Sequence, residues 1–135
     1  MSYPITVIGG IDGDVAVSLK SVGIRSTNKL LEQARTVKGR KILAEKTGLP
    51  EKQLLCWANM ADRMRIKGIS KEYAELLQAA GVNTLKELRY RSPANLAKAM
   101  AEANVKRKMV RLLPSEKVVT RWIATAQKLE LKIKY

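Results

Sequence analysis

Residues 8–24, IGGIDGDVAVSLKSVGI, return in altered form at residues 66–82, IKGISKEYAELLQAAGV. Aligned without a gap, the two stretches share Ile8/Ile66, Gly10/Gly68, Ile11/Ile69, Ala16/Ala74, Leu19/Leu77 and Gly23/Gly81, six identities in seventeen positions. An internal repeat constrains architecture before any single residue is interpreted, because both copies must build the same supersecondary unit. The match continues to Leu30/Leu88 at the same spacing of 58. It resumes at a spacing of 65, where Trp57 meets Trp122, Ala61 meets Ala126 and Met64 meets Leu129. The change from 58 to 65 means seven net residues inserted in the second copy. VKRKMVRL (105–112) is the expected place; it carries Lys106, Arg107, Lys108 and Arg111 and no acid.

Each copy reads as a chain of short helices. In the first, helices are predicted at 13–22, 27–35 and 37–47, the last closed by Gly48. In the second, Ser70 is a suitable N-cap for a helix through Ala80, ended by Gly81, which accepts the left-handed backbone that a side chain resists. Asp12 is expected to cap the matching first-copy helix. Thr84 followed by Glu87 forms a capping box, and Ser92-Pro93 puts a cap before a proline at the first helical position. Pro50 and Ser115 start helices over 51–64 and 116–129, where Leu54, Trp57, Ala58, Ala61 and Met64 share one stripe at helical spacing. Both tryptophans are therefore expected in the core. Cys56 aligns with Arg121, a residue type that rarely faces a core, and is expected to be exposed.

The two ends, YPITVI and LELKIKY, are short and β-prone. They are predicted to pair as a two-stranded ribbon joining the termini, with helix 116–129 filling the place before the first hairpin. The expected fold is all-α: repeats 1–65 and 66–135 sharing one core in a pseudo-twofold domain.

Composition narrows the chemistry. No apolar run approaches the roughly 18 residues of a membrane span, and MSYPITVIGG lacks the basic start and long apolar stretch of a signal peptide, so a cytoplasmic protein is expected. With no histidine and the single Cys56, a zinc site or a Cys-His nucleophile has no material, and no metal or cofactor is expected. Asp12, Asp14 and Asp62 are the only aspartates, and their spacing does not mark a metal-dependent nuclease. Against 12 acids stand 26 Lys and Arg, a net charge of +14, which favours a polyanionic partner. Residues 66–135 hold 15 basic and 6 acidic residues, or +9, against 11 and 6, or +5, for residues 1–65.

Ile66-Lys67-Gly68-Ile69-Ser70 with Ala74, Leu77 and Gly81, and its copy Ile8-Gly9-Gly10-Ile11-Asp12 with Ala16, Leu19 and Gly23, resemble the helix-hairpin-helix motif. Over nearly its whole length the chain also resembles a bacterial domain family of unknown function built from such hairpins, through WANMADRMRIKGI, RYRSPANLAKAMAEAN and PSEKVVTRWIATAQKL. The motif implies sequence-independent binding of duplex DNA: a glycine turn opens a helix N-terminus to a phosphate, and flanking Lys or Arg adds charge without reading bases. On the second hairpin the residues implicated are Arg65, Lys67, Gly68, Ile69, Ser70 and Lys71. Arg89, Arg91, Lys106, Arg107, Lys108 and Arg111 form the other dense positive spots. The sequence departs from the motif at Ser70 and Asp12, where glycine is usual. Asp12 and Asp14 would repel a phosphate, so Gly10, Ile11 and Asp12 are expected to be structural.

The expected function is thus a non-enzymatic protein that grips duplex DNA backbone, the few aromatics arguing against stacking on single strands. RNA would meet the same charge. The alternative from another class is a protein-interaction scaffold whose basic surface meets an acidic protein partner.

Overall fold

In the computed structural model, which describes residues 2–135, the regular structure is helical: α1 Gly13–Ser21, α2 Thr27–Ala34, α3 Val37–Thr47, α4 Glu51–Arg63, α5 Lys71–Ala79, α6 Leu85–Arg89, α7 Pro93–Arg107 and α8 Glu116–Lys128, with one 3-10 turn at Ile5–Val7. The chain is all-α, with no β-strand among the described residues. Helix ends fall within a residue or two of those predicted, because their signals are local. The chain divides into two units, one formed by residues up to Arg65 together with Lys132–Tyr135, the other by Ile66–Leu131.

In the first unit α2 packs against α3 and α4, and α3 against α4. Ser26 accepts the Lys29 N–H at 3.1 Å and Thr36 accepts the Gly39 N–H at 2.9 Å, capping α2 and α3. The stripe predicted on α4 is the buried one: Leu54, Trp57, Ala58, Ala61 and Met64 all lie inside, with Leu30 and Leu31 of α2. Each fully buried Leu or Met contributes about 1.5–3 kcal/mol. Cys56, off that stripe, is exposed, as its alignment with Arg121 suggests.

The predicted ribbon between the termini is not formed among the described residues. The N-terminal stretch runs instead along the start of α2, where Ile5 N–H donates to Arg25 O at 2.9 Å and Thr27 N–H to Tyr3 O at 2.8 Å, with a single bridge between Pro4 and Ser26. Pro4 has no N–H to donate, which limits any longer ladder. The C-terminal stretch is drawn to the end of α2: Lys134 N–H donates to Arg35 O, and the buried Arg40 guanidinium bonds Ala34 O and Lys134 O at 2.8 and 2.7 Å. Unmet carbonyls at a helix C-terminus and a buried guanidinium are stronger claims on these backbone groups than generic β-propensity.

In the second unit α5 packs on α7, and α6 and α7 pack on α8. The predicted capping box is present: Glu87 N–H donates to Thr84 Oγ1 at 3.0 Å, and Thr84 N–H to Glu87 Oε1 at 3.1 Å. Helix α7 runs 15 residues where α3 runs 11, and residues 108–115 connect α7 to α8 where 48–50 connect α3 to α4. The indole against the Gly10 turn is that of Trp57 of α4, and Trp122 of α8 lies against Gly68. Each unit thus covers its own turn.

Candidate nucleic-acid interface

Two turns of matching geometry precede α1 and α5. Ile11 N–H donates to Ile8 O at 3.1 Å and Ile69 N–H to Ile66 O at 3.0 Å, with glycine third in each turn at φ +90 (Gly10) and +95 (Gly68). That is the position where a type II turn requires a left-handed backbone. All four isoleucines are buried and staple the turns to their units. A Cβ on Gly68 would stand 3.2 Å from Trp122 Nε1, and one on Gly10 3.5 Å from Trp57 Nε1, so the glycines serve close packing as well as conformation.

Beyond each turn a helix begins without a side-chain cap. Ser70 and Asp12 occupy the N-cap positions with extended backbone, but neither side chain accepts a first-turn N–H, contrary to the expectation that both cap. At α1 the first helical residue, Gly13, takes φ +50, a left-handed backbone. Helix α5 makes its first intrahelical bond from Ala74 N–H to Ser70 O at 2.9 Å. Its earlier amides are left to solvent or a ligand, at the positive end of the helix dipole. Ser92, before Pro93, is likewise uncapping, whereas Ser26, Thr36, Thr84 and Ser115 all cap.

The candidate basic residues divide by their surroundings. Lys67 and Lys71 are exposed on either side of the Gly68 turn, with no carboxylate in ion-pair range among the described residues. Ser70 is exposed beside them. Arg65 is half-buried and bonded to Asp62 Oδ1 at 2.8 Å. Burial pushes the Asp62 carboxyl up from its ordinary 3.8, an effect that the Arg65 bond and charge only partly oppose. Ile69 has its side chain inside and its N–H in the turn. Arg89, expected as a phosphate contact, donates from Nε to Ala126 O at 2.8 Å and from a terminal nitrogen to Leu129 O, closing the C-terminus of α8. Arg91 is half-buried, its guanidinium 4.0 Å from where a Gly81 Cβ would stand.

Lys106 and Arg107 end α7, Lys108 follows in the left-handed region at φ 49, and Arg111 lies in the loop beyond; all four are exposed. That loop is tied down. The Asn104 amide brackets Val110, accepting its N–H at 2.9 Å and donating to its carbonyl at 3.1 Å, and Tyr73 Oη donates to Leu112 O at 2.8 Å. Tyr73 is itself braced by Trp122, ring centroids 5.4 Å apart. Between α5 and the loop lies a cleft of about 300 Å³ lined by Glu72, Tyr73, Met109, Val110, Arg111 and Leu112. Arg111, distant in sequence, therefore lines the same cleft as Glu72 and Tyr73 of the first turn of α5. Nothing in local pattern marks Tyr73 or Asn104, since both act through backbone atoms elsewhere in the chain.

Among the described residues no group of three or more His, Cys, Asp or Glu side chains could hold a metal ion, and no helix is long and apolar enough to cross a membrane. Fold and surface define a class: a strongly basic, all-helical chain presenting glycine turns at helix starts. Residues 9–129 match the model of a domain of unknown function, DUF4332, and the chain belongs to that family. No curated protein and no solved structure matches it.

Proposed function

We propose that this is a non-enzymatic nucleic-acid-binding protein that holds duplex DNA by its phosphates, without strong base preference, at the Gly68 turn and the basic surface around it. In the same proposal the two units are diverged copies of one helix-hairpin-helix. Support for the duplication comes from the paired turns with left-handed glycines, each lying under a tryptophan of its own unit. The carrying observation for function is the start of α5: first-turn amides without a side-chain cap, between exposed and unpaired Lys67 and Lys71. A phosphate there meets backbone donors, the helix dipole and two cations together. Gly68 allows the approach, Ser70 can donate its hydroxyl, and Arg91, Lys106, Arg107, Lys108 and Arg111 extend the positive field. Arg65, Ile69 and Arg89 act through the packing that holds the turn and α8. Exposed Asp12 and Asp14 make the Gly10 turn the poorer anion site.

The test is titration onto a labelled DNA duplex at several salt concentrations. Log affinity should fall with log salt by about 0.9 per phosphate neutralised. The Lys67→Glu/Lys71→Glu variant should bind more weakly, with a slope lower by roughly two phosphates, about 1.8. A salt-independent affinity, or no loss in that variant, would sink the proposal. Capture of a protein partner that survives nuclease treatment, with no duplex binding, would favour the scaffold role.

A further inference from the structure

We infer that the loop from Lys108 to Pro114 is a second arm of the same DNA surface, and that Tyr73 and Asn104 are positioning residues that hold Arg111 beside the start of α5 so that one duplex meets both. The inference rests on the DNA-binding proposal above and goes beyond it by joining two spots that the sequence leaves as alternatives.

The loop is built to be held in place. At its base Lys108 adopts φ 49, a left-handed conformation uncommon for a side-chain-bearing residue, and its N–H closes onto Asn104 O at 2.7 Å. Asn104 then satisfies both backbone groups of Val110, and Tyr73 takes the carbonyl of Leu112, on either side of Arg111. Four bonds over five residues place this segment, although its basic side chains are exposed and make no ion pair among the described residues. A solvated charge run needs no such anchoring of its backbone. The anchoring side chains come from α5 and α7.

Charge decides the partner. From Val105 to Leu113 the chain carries four cations and no acid, and the one carboxylate lining the adjoining cleft is Glu72. Arg111 lines that cleft with Glu72 and Tyr73 of the first turn of α5, the helix into which the Gly68 turn leads. Duplex DNA carries a charge about every 1.7 Å along its axis, so neighbouring phosphates can occupy two cationic spots that share one helix turn. Exposed Leu112 lies at the same rim and would accept the apolar face of a sugar without contributing charge.

The experiment compares wild type, Arg111→Gln, Tyr73→Phe, Asn104→Ala and the double variant Tyr73→Phe/Arg111→Gln for the salt dependence of duplex affinity, with Lys67→Gln/Lys71→Gln as reference. Arg111→Gln is expected to lower the slope by about 0.9, one phosphate. Tyr73→Phe keeps the ring against Trp122 and every charge, yet is expected to lower the slope similarly and to add nothing on the Arg111→Gln background. Asn104→Ala should behave alike; should it fail to fold, substitution of exposed Arg111 remains decisive. An unchanged slope for Arg111→Gln, or a Tyr73→Phe effect that persists undiminished in the double variant, overturns the inference. If that happens while Lys67→Gln/Lys71→Gln still weakens binding, the DNA-binding proposal stands and only the loop arm falls. A wild-type affinity insensitive to salt removes both.

Discussion

Gly39 of α3 is a residue whose local preference and tertiary setting point in opposite directions. Helix propensity favours alanine over glycine in a helix interior by about 0.8–1.0 kcal/mol. A Cβ there would stand 2.3 Å from Gln33 O, a backbone atom just across the α2–α3 corner. Gly39→Ala should therefore destabilise the protein, by about 1–3 kcal/mol, visible as a lower urea midpoint at unchanged m-value. Gly68 was legible because a turn glycine sits in a recognisable apolar frame. Gly39 was not, because what forbids its side chain is a carbonyl six positions away brought close by a bend. Arg65 makes the same point for the candidate site: its spacing from Gly68 suggests a phosphate ligand, but it bonds the buried Asp62 three residues earlier on the last turn of α4.

At the scale of elements, helix ends were readable because capping is local chemistry; Thr84 and Glu87 lie three residues apart and need no other part of the chain. How helices are closed by distant groups was not readable. Arg89 ends the short α6 and reaches the last carbonyls of α8, complementing that helix's negative end. Arg89→Ala should cost about 1.5–3 kcal/mol in thermal or urea unfolding, the worth of hydrogen bonds to a charged group. Arg89→Lys should rescue little, since one ammonium does not reproduce a two-nitrogen fork. The slope of DNA affinity against salt should stay as in wild type, because Arg89 faces α8. The terminal ribbon failed at this scale too. β-prone composition specifies an extended backbone but not its partner, and the ends of α2 offered bonds first.

Across the molecule, the division into units does not follow the boundary expected between residues 65 and 66 to the last residue. Lys132–Tyr135 belong with the first unit, through buried Ile133, the bonds of Lys134 to Arg35 and Arg40, and Tyr135 Oη donating to Asn59 Oδ1 at 2.9 Å. Deleting these four residues should destabilise that unit by about 2–4 kcal/mol, from the lost apolar burial and the buried Arg40 deprived of an acceptor. Hydrogen exchange checks it: amides of α3 and α4 should exchange faster, while those of α6 should not. The amino-acid sequence alone determined the helical class, the helix limits, the two glycine turns, the buried tryptophan stripe and the excess of positive charge. Each of these depends on periodicity, capping or composition within a few residues. Only the tertiary structure decided which arginines are taken up by carbonyls and carboxylates, which tryptophan covers which turn, and that Arg111 lies beside the start of α5. Those depend on which backbone groups distant segments bring within hydrogen-bond reach, and no local pattern encodes that distance.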